Sequence, residues 1–297
     1  MRSVLALGLV LLLARVAEAQ TNVGVEVDDV TDNRISVADA GELQARGGLQ
    51  LRLKVTGNGL EKALAARVLV KEAKDDEGNS LLEKDPSVPD FMPREYNGGT
   101  VDVSVLQPAR AARAVRLKGT IELYVPGRDP DATVKIANGF AKLDAPLSAR
   151  ALKAAKIEIT PLSADGYAAL LKSRKITDAD IEQIRAEGKK RGADEKEVEM
   201  VIALAKAFDE IDEPPSPSSV YFAARKADFD KIYRLEILGA DGNPVSVPSR
   251  GVSTRGESSI MTLDASEPPP QNATLLLMLL TAKSRVSYPF ALEVELP

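Results

Sequence analysis

The stretch Val115–Ile136, VRLKGTIELYVPGRDPDATVKI, decides the reading of the fold. Val115, Leu117, Ile121, Leu123 and Val125 fall on one face of an extended chain. Arg116, Lys118, Thr120 and Glu122 fall on the other. This period of two is that of a half-buried strand. Gly127–Asp131 (GRDPD) reads as a polar turn, and Thr133–Ile136 as the start of a return strand. A similar layout closes the chain: Thr274–Thr281 (TLLLMLLT), a turn at Ala282–Arg285, then Val286–Leu296. Two such hairpins predict two β-domains.

Towards the N-terminus, Val23, Val25 and Val27 alternate, and Asp28, Asp29 and Thr31–Asn33 read as a turn. Leu49–Val55 (LQLRLKV) is the cleanest alternating strand, broken by Gly57–Gly59. Arg67–Ala73 is the next strand, and an acidic turn at Asp75–Asn79 sends the chain back through Leu81 and Leu82. Asp85–Gly99, with Pro86, Pro89 and Pro93, reads as an irregular loop before a strand carrying Val101, Val103 and Val105. Roughly seven or eight strands in about 130 residues is the pattern of a β-sandwich.

The period then changes. Ala164–Asp212 is rich in Ala, Glu, Lys and Leu and reads as helical. Tyr167, Leu170 and Leu171 mark a first helix; Thr177 caps a second, with Asp178 and Asp180 in its first turn. Gly188 and Gly192 punctuate the connection, and Asp194 with Glu197 is a capping-box start for a third helix. Val198, Val201, Leu204, Ala205, Phe208 and Ile211 give that helix an apolar stripe, and the run Pro214–Pro217 ends it. Strands resume at Ser219–Ala223, Lys231–Leu238 and Ser259–Leu263. Ile157–Leu162 closes the first domain or opens the second. The expected architecture is mainly β: two immunoglobulin-like β-sandwich domains, 20–155 and 156–297, with a helical insert at 164–212.

In strand count, alternation and turn placement the chain resembles tandem immunoglobulin-like domains of bacterial exported proteins, across Asn22–Leu162 and Ser219–Pro297. The cysteine pair and core tryptophan of antibody domains are missing, so the resemblance implies architecture and export and assigns no functional residue. An internal repeat is also legible. Val68–Leu82 (VLVKEAKDDEGNSLL) and Arg234–Val247 (RLEILGADGNPVSV) share a strand, a Gly-Asn turn and a second strand. Gly78 pairs with Gly242, and Thr120 with Thr274. Strand–turn–strand recurs by chance, so duplication and coincidence both stay open.

Residues 1–19 read as an export signal: Arg2, a short apolar run Val4–Leu13 and an A-x-A site at Ala17–Ala19, so the mature chain is expected to start at Gln20 in the periplasm or outside the cell. No later run is apolar enough to span a bilayer. Formal charge is −5, which disfavours nucleic acid as a partner. There is no cysteine, histidine or tryptophan, and aromatics make up 4%. Those absences remove thiol chemistry, the commonest general base and zinc ligand, and the usual stacking platforms for sugars and bases. No phosphate-loop, dinucleotide or S-x-x-K motif occurs, so no catalytic residue and no cofactor is expected.

Two weak sites remain. Asp75, Asp76, Glu77, Asp129 and Asp131 sit at turns and are candidates for calcium, although Asp is an ordinary turn residue. Val201, Leu204 and Phe208 of the helical insert either pack on the sheets or bind a protein partner. The expected function is a non-catalytic exported binding or scaffold protein. The alternatives are a periplasmic chaperone or assembly factor that pairs an edge strand with its client, and, further off, a carboxylate-dependent hydrolase.

Overall fold

A computed structural model describes residues 23–34, 36–39, 42–45, 47–94, 99–210 and 215–297; for 36–39, 42–45 and 208–210 it describes the backbone alone. The expected signal sequence lies outside these residues. The protein is mainly β, with several antiparallel sheets. Among the described residues no helix is long and apolar enough to cross a membrane.

The chain forms two compact units. One holds the chain up to Val125 together with Val286–Pro297; the other is Pro126–Arg285. The first unit contains β1 (Gly24–Asn33), β2 (Ser36–Asp39), β3 (Glu42–Ala45), β4 (Gly48–Thr56), β5 (Ala65–Asp75), β6 (Met92–Pro93), β7 (Thr100–Leu106), β8 (Ala114–Tyr124) and the end strand β16 (Arg285–Glu295). The second contains β9 (Thr133–Ile136), helix α1 (Arg150–Ala155), β10 (Ile159–Leu162), α2 (Ala164–Ser173), α3 (Asp178–Arg191), α4 (Glu195–Glu210), β11 (Ser219–Arg225), α5 (Lys226–Phe229), β12 (Ile232–Leu238), β13 (Ser249–Arg255), β14 (Ser258–Asp264) and β15 (Thr274–Leu279).

In the first unit, sheets β1-β4-β7 and β16-β8-β5-β6 share one core. Leu49, Leu51 and Leu53 of β4, Val101 and Val103 of β7, and Leu117 and Ile121 of β8 are buried in it, as their alternation predicts. Each contributes about 1.5–3 kcal/mol of transfer free energy. In the second unit, sheets β10-β11-β14-β13 and β12-β15-β9 enclose Ile159, Phe222, Met261, Leu235, Leu275 and Leu277, with Leu152 of α1 added.

Neither expected hairpin forms. β8 pairs with β5 and β16, and β15 pairs with β12 and β9. The outer strand of each expected hairpin is therefore exchanged for the other. The domain division falls at Val125/Pro126 and Arg285/Val286, in place of 155/156. The five residues read as a tight turn do not reverse the chain. Instead Pro126–Arg128 and Pro130–Ala132 form two 3-10 turns, and Asp129 accepts from the Asp131 N–H at 3.1 Å. On the return, Thr281 Oγ1 donates to Asp129 Oδ2 at 2.7 Å, and buried Ser284 donates its N–H to Thr281 Oγ1 at 3.1 Å. β16 lies antiparallel to β8, with Leu296 N–H donating to Arg113 O at 2.8 Å and Arg116 paired with Glu293 at 3.2 Å. Pro289 suits this edge position.

Other expectations are corrected. The turn read at Asp28–Asn33 is a β-bulge inside a continuous β1. The choice left open for Ile157–Leu162 falls to the second unit, where β10 pairs with β11. In the internal repeat the turn itself recurs bond for bond. Asp75 N–H donates to Asn79 O (3.1 Å), Gly78 N–H to Asp75 O (3.1 Å) and Leu81 N–H to Ala73 O (2.9 Å). The same set recurs at Gly239–Asn243 (2.8 Å), Gly242–Gly239 (3.0 Å) and Val245–Ile237 (2.8 Å). Gly78 and Gly242 both take positive φ, which only glycine adopts at little cost. Pairing places Thr274 opposite Leu238 and Arg116 opposite the equivalent Lys74, so Arg116, not Thr120, corresponds to Thr274.

Candidate functional site

Of the acidic candidates, Asp75, Asp76 and Asp129 accept backbone N–H groups that fasten turns. Asp75 is buried; Oδ1 accepts from the Asn79 N–H at 2.7 Å, and Oδ2 from the Ala109 N–H at 3.0 Å. Burial alone would push the Asp75 carboxyl up, but the N–H donors of Ala109 and Asn79 together hold it below the usual carboxylate range. Asp76 accepts from the Arg113 N–H at 3.1 Å, and Glu77 is exposed. Asp129 is held below the usual range by the Thr281 hydroxyl and the Asp131 N–H, while Asp131 lies 3.7 Å from Arg150. Asp75, Asp76 and Glu77 belong to the first unit, Asp129 and Asp131 to the second. Among the described residues no group of three or more carboxylates is arranged to hold a metal ion.

The helical insert, between β10 and β11, is built as its caps predict. Ser163 Oγ accepts from the Gly166 N–H at 2.9 Å to start α2. An added Cβ on Gly166 would lie 1.9 Å from Asp144 Oδ1, so a larger residue there would displace the Asp144 carboxylate. Thr177 and Asp180 form the capping box of α3, and Asp194 accepts from the Glu197 N–H at 2.8 Å to start α4. Tyr167 of α2 stacks on Tyr221 of β11, ring centroids 3.7 Å apart. Gly192, with φ 72°, ends α3 as expected, but Gly188 lies inside that helix. Its bare Cα lets α4 come close: a Cβ there would meet Val198 Cγ2 at 2.4 Å.

The apolar stripe of α4 is rotated from its expected position. Val198, Ile202 and Ala205 face inward, with Ile202 only 3% exposed. Val201 and Leu204 are 50% and 57% exposed, and Met200 67%. The Phe208 side chain and Ile211 lie outside the described residues. Beside the exposed ridge a groove of about 330 Å³ runs between α3 and α4, lined by Ile184, Gly188, Val198 and Val201.

A second hollow in the same unit is larger. A cleft of about 730 Å³ lies between the helices and the β13–β14 hairpin. Its charged wall is Arg174, Lys175 and Arg255 against Asp180 and Glu187; its apolar wall includes Leu171, Ile184 and Ala205. Arg255 lies 3.6 Å from Asp180. Arg174 makes two long hydrogen bonds from one nitrogen, Nη2, to the carbonyls of Ser253 (3.3 Å) and Ser258 (3.4 Å). Its Nε and Nη1 are buried and have no hydrogen-bond partner among the described residues. Burial, then the neighbouring Arg255 charge, pull the Arg174 guanidinium below its ordinary range, against an opposing effect of Tyr167.

Sequence reasoning missed this cleft and the strand beside it. Among the described residues β13 (SRGVSTR) pairs only with β14, in an unbroken seven-residue register, and is exposed along nearly its whole length. With both faces wet it carries no alternation to read. Arg174 looks in the sequence like an ordinary basic residue at a helix end. No family model, no curated protein and no solved structure matches the chain.

Proposed function

We propose that the chain is a non-catalytic exported binding or scaffold protein, built of two immunoglobulin-like β-sandwiches, that contacts a protein partner through the outer face of α4. The observation that carries this reading is the ridge of Met200, Val201 and Leu204, at least half exposed on one helix beside a groove with an apolar floor of Ile184, Val198 and Val201 and charged residues Glu187, Arg191 and Glu197. Contiguous exposed apolar surface of this kind favours protein contact. Export rests on the A-x-A signal, and the sandwich assignment on paired sheets around each core. The test is position-resolved photo-crosslinking in the exported fraction of the source cell. A photoreactive residue at Leu204 should give one discrete adduct that is absent when the label sits at Lys118, exposed on β8. Equal labelling from both positions, or none from Leu204, would overturn the reading.

A second reading, pairing of an edge strand with a client, is favoured by β13, whose outer edge has no strand partner among the described residues. It predicts that the discrete adduct comes from a label at Val252 on β13 and not from Leu204.

A further inference from the structure

Two nitrogens of the half-buried Arg174 guanidinium are buried at a cost that no contact in the described residues offsets. Guanidinium groups stay charged in proteins, and buried polar hydrogens without a partner are expensive. Here two of the three guanidinium nitrogens lack a partner among the described residues, and the third shares two long bonds with carbonyl oxygens. A second guanidinium, Arg255, adds like-charge repulsion. Both line an open cleft of about 730 Å³, within the size range of small-molecule sites.

We propose that this cleft binds a small monocarboxylate with a short apolar chain, its carboxylate seated between Arg174 and Arg255. Three cations against two carboxylates leave the wall with a single excess positive charge. One excess charge matches a monoanion; a dianionic phosphate would meet Asp180 and Glu187 as well. Leu171, Ile184 and Ala205 give the apolar chain its surface. Seating the carboxylate exchanges two long bonds to neutral acceptors for shorter ones in which donor and acceptor are both charged. Arg174 turns its planar fork from the Ser253 and Ser258 carbonyls towards the cleft as it does so. This site is separate from the α4 ridge and does not depend on the protein-partner reading.

The test is calorimetric titration of the full chain with hexanoate, with the neutral isostere hexanamide and with inorganic phosphate. Hexanoate should bind saturably, and both hexanamide and phosphate at least about tenfold more weakly. Arg174→Gln should lower hexanoate affinity by about tenfold or more. Arg174→Lys, which keeps the charge and loses the fork, should fall between. Circular dichroism checks that the variants are folded; if Arg174→Gln is not, Arg255→Gln reads the same loss. The proposal is overturned if hexanoate shows no saturable binding, if hexanamide or phosphate matches it, or if the folded variant binds like the wild type.

Discussion

Asp75→Asn is a near-isosteric change with a large expected effect. In the wild type both carboxylate oxygens accept backbone N–H groups, from Asn79 at 2.7 Å and Ala109 at 3.0 Å. The amide has only one oxygen, so either orientation turns an NH2 group towards a backbone donor. The Asn79 side chain, which reaches the two oxygens at 3.2 and 3.0 Å, cannot relieve this because it too donates. A buried donor left unmet costs about 1–3 kcal/mol, and a hydrogen bond to a charged group is worth about 1.5–3 kcal/mol, so the variant should lose roughly 2–4 kcal/mol. For a unit of this size that lowers the melting midpoint on the order of 10 °C. The pH dependence gives a second check. The folded Asp75 carboxyl titrates below its ordinary value of 3.8. Its stabilisation is therefore fully present above that value and lost as pH falls through the lower folded value. Calorimetry of wild type and variant should show a constant gap down to about pH 5, narrowing in stronger acid. A variant within about 0.5 kcal/mol of wild type at neutral pH, or a gap indifferent to acid, would refute the account of this turn. Because N–H donors already fill the carboxylate, added calcium should leave the midpoint unmoved.

Two further changes test the packing. Ile202→Ala should cost about 2–5 kcal/mol because Ile202 is buried, whereas Leu204→Gln on the exposed ridge should stay within about 0.5 kcal/mol; reversed magnitudes in chemical denaturation would restore the originally expected stripe. Gly119→Ala should destabilise the first unit by about 1–3 kcal/mol, because the added Cβ would lie 2.4 Å from the Leu69 carbonyl and 2.8 Å from the Phe290 ring; an unchanged midpoint would contradict the close approach of both β5 and β16 at this position.

Where one face is dry and the other wet, the sequence states its structure openly. β4 and β8 read directly because Leu49, Leu51, Leu53, Leu117 and Ile121 alternate with charged or polar residues. The caps at Thr177 and Asp194 were legible because each is a local hydrogen-bonding unit. Partner choice was not legible. Alternation tells which face of β8 is buried but not whether β9 or β16 lies beside it. The α4 stripe was misread because Val198, Met200, Val201, Ile202, Leu204 and Ala205 supply two overlapping apolar faces, and only the close approach at Gly188 selects one. For the candidate site, Val201 and Leu204 were found from periodicity, while Arg174 and β13 carried no pattern.

The central structural claim is that β16 completes the first unit and that Pro126–Arg285 is a unit by itself. It is tested most directly by fragment complementation. A fragment of residues 126–285 should melt cooperatively alone. A fragment of residues 20–125 should lack a cooperative transition until a peptide of residues 286–297 is added, and should then gain one. Cooperative folding of residues 20–155 with no response to that peptide would contradict it.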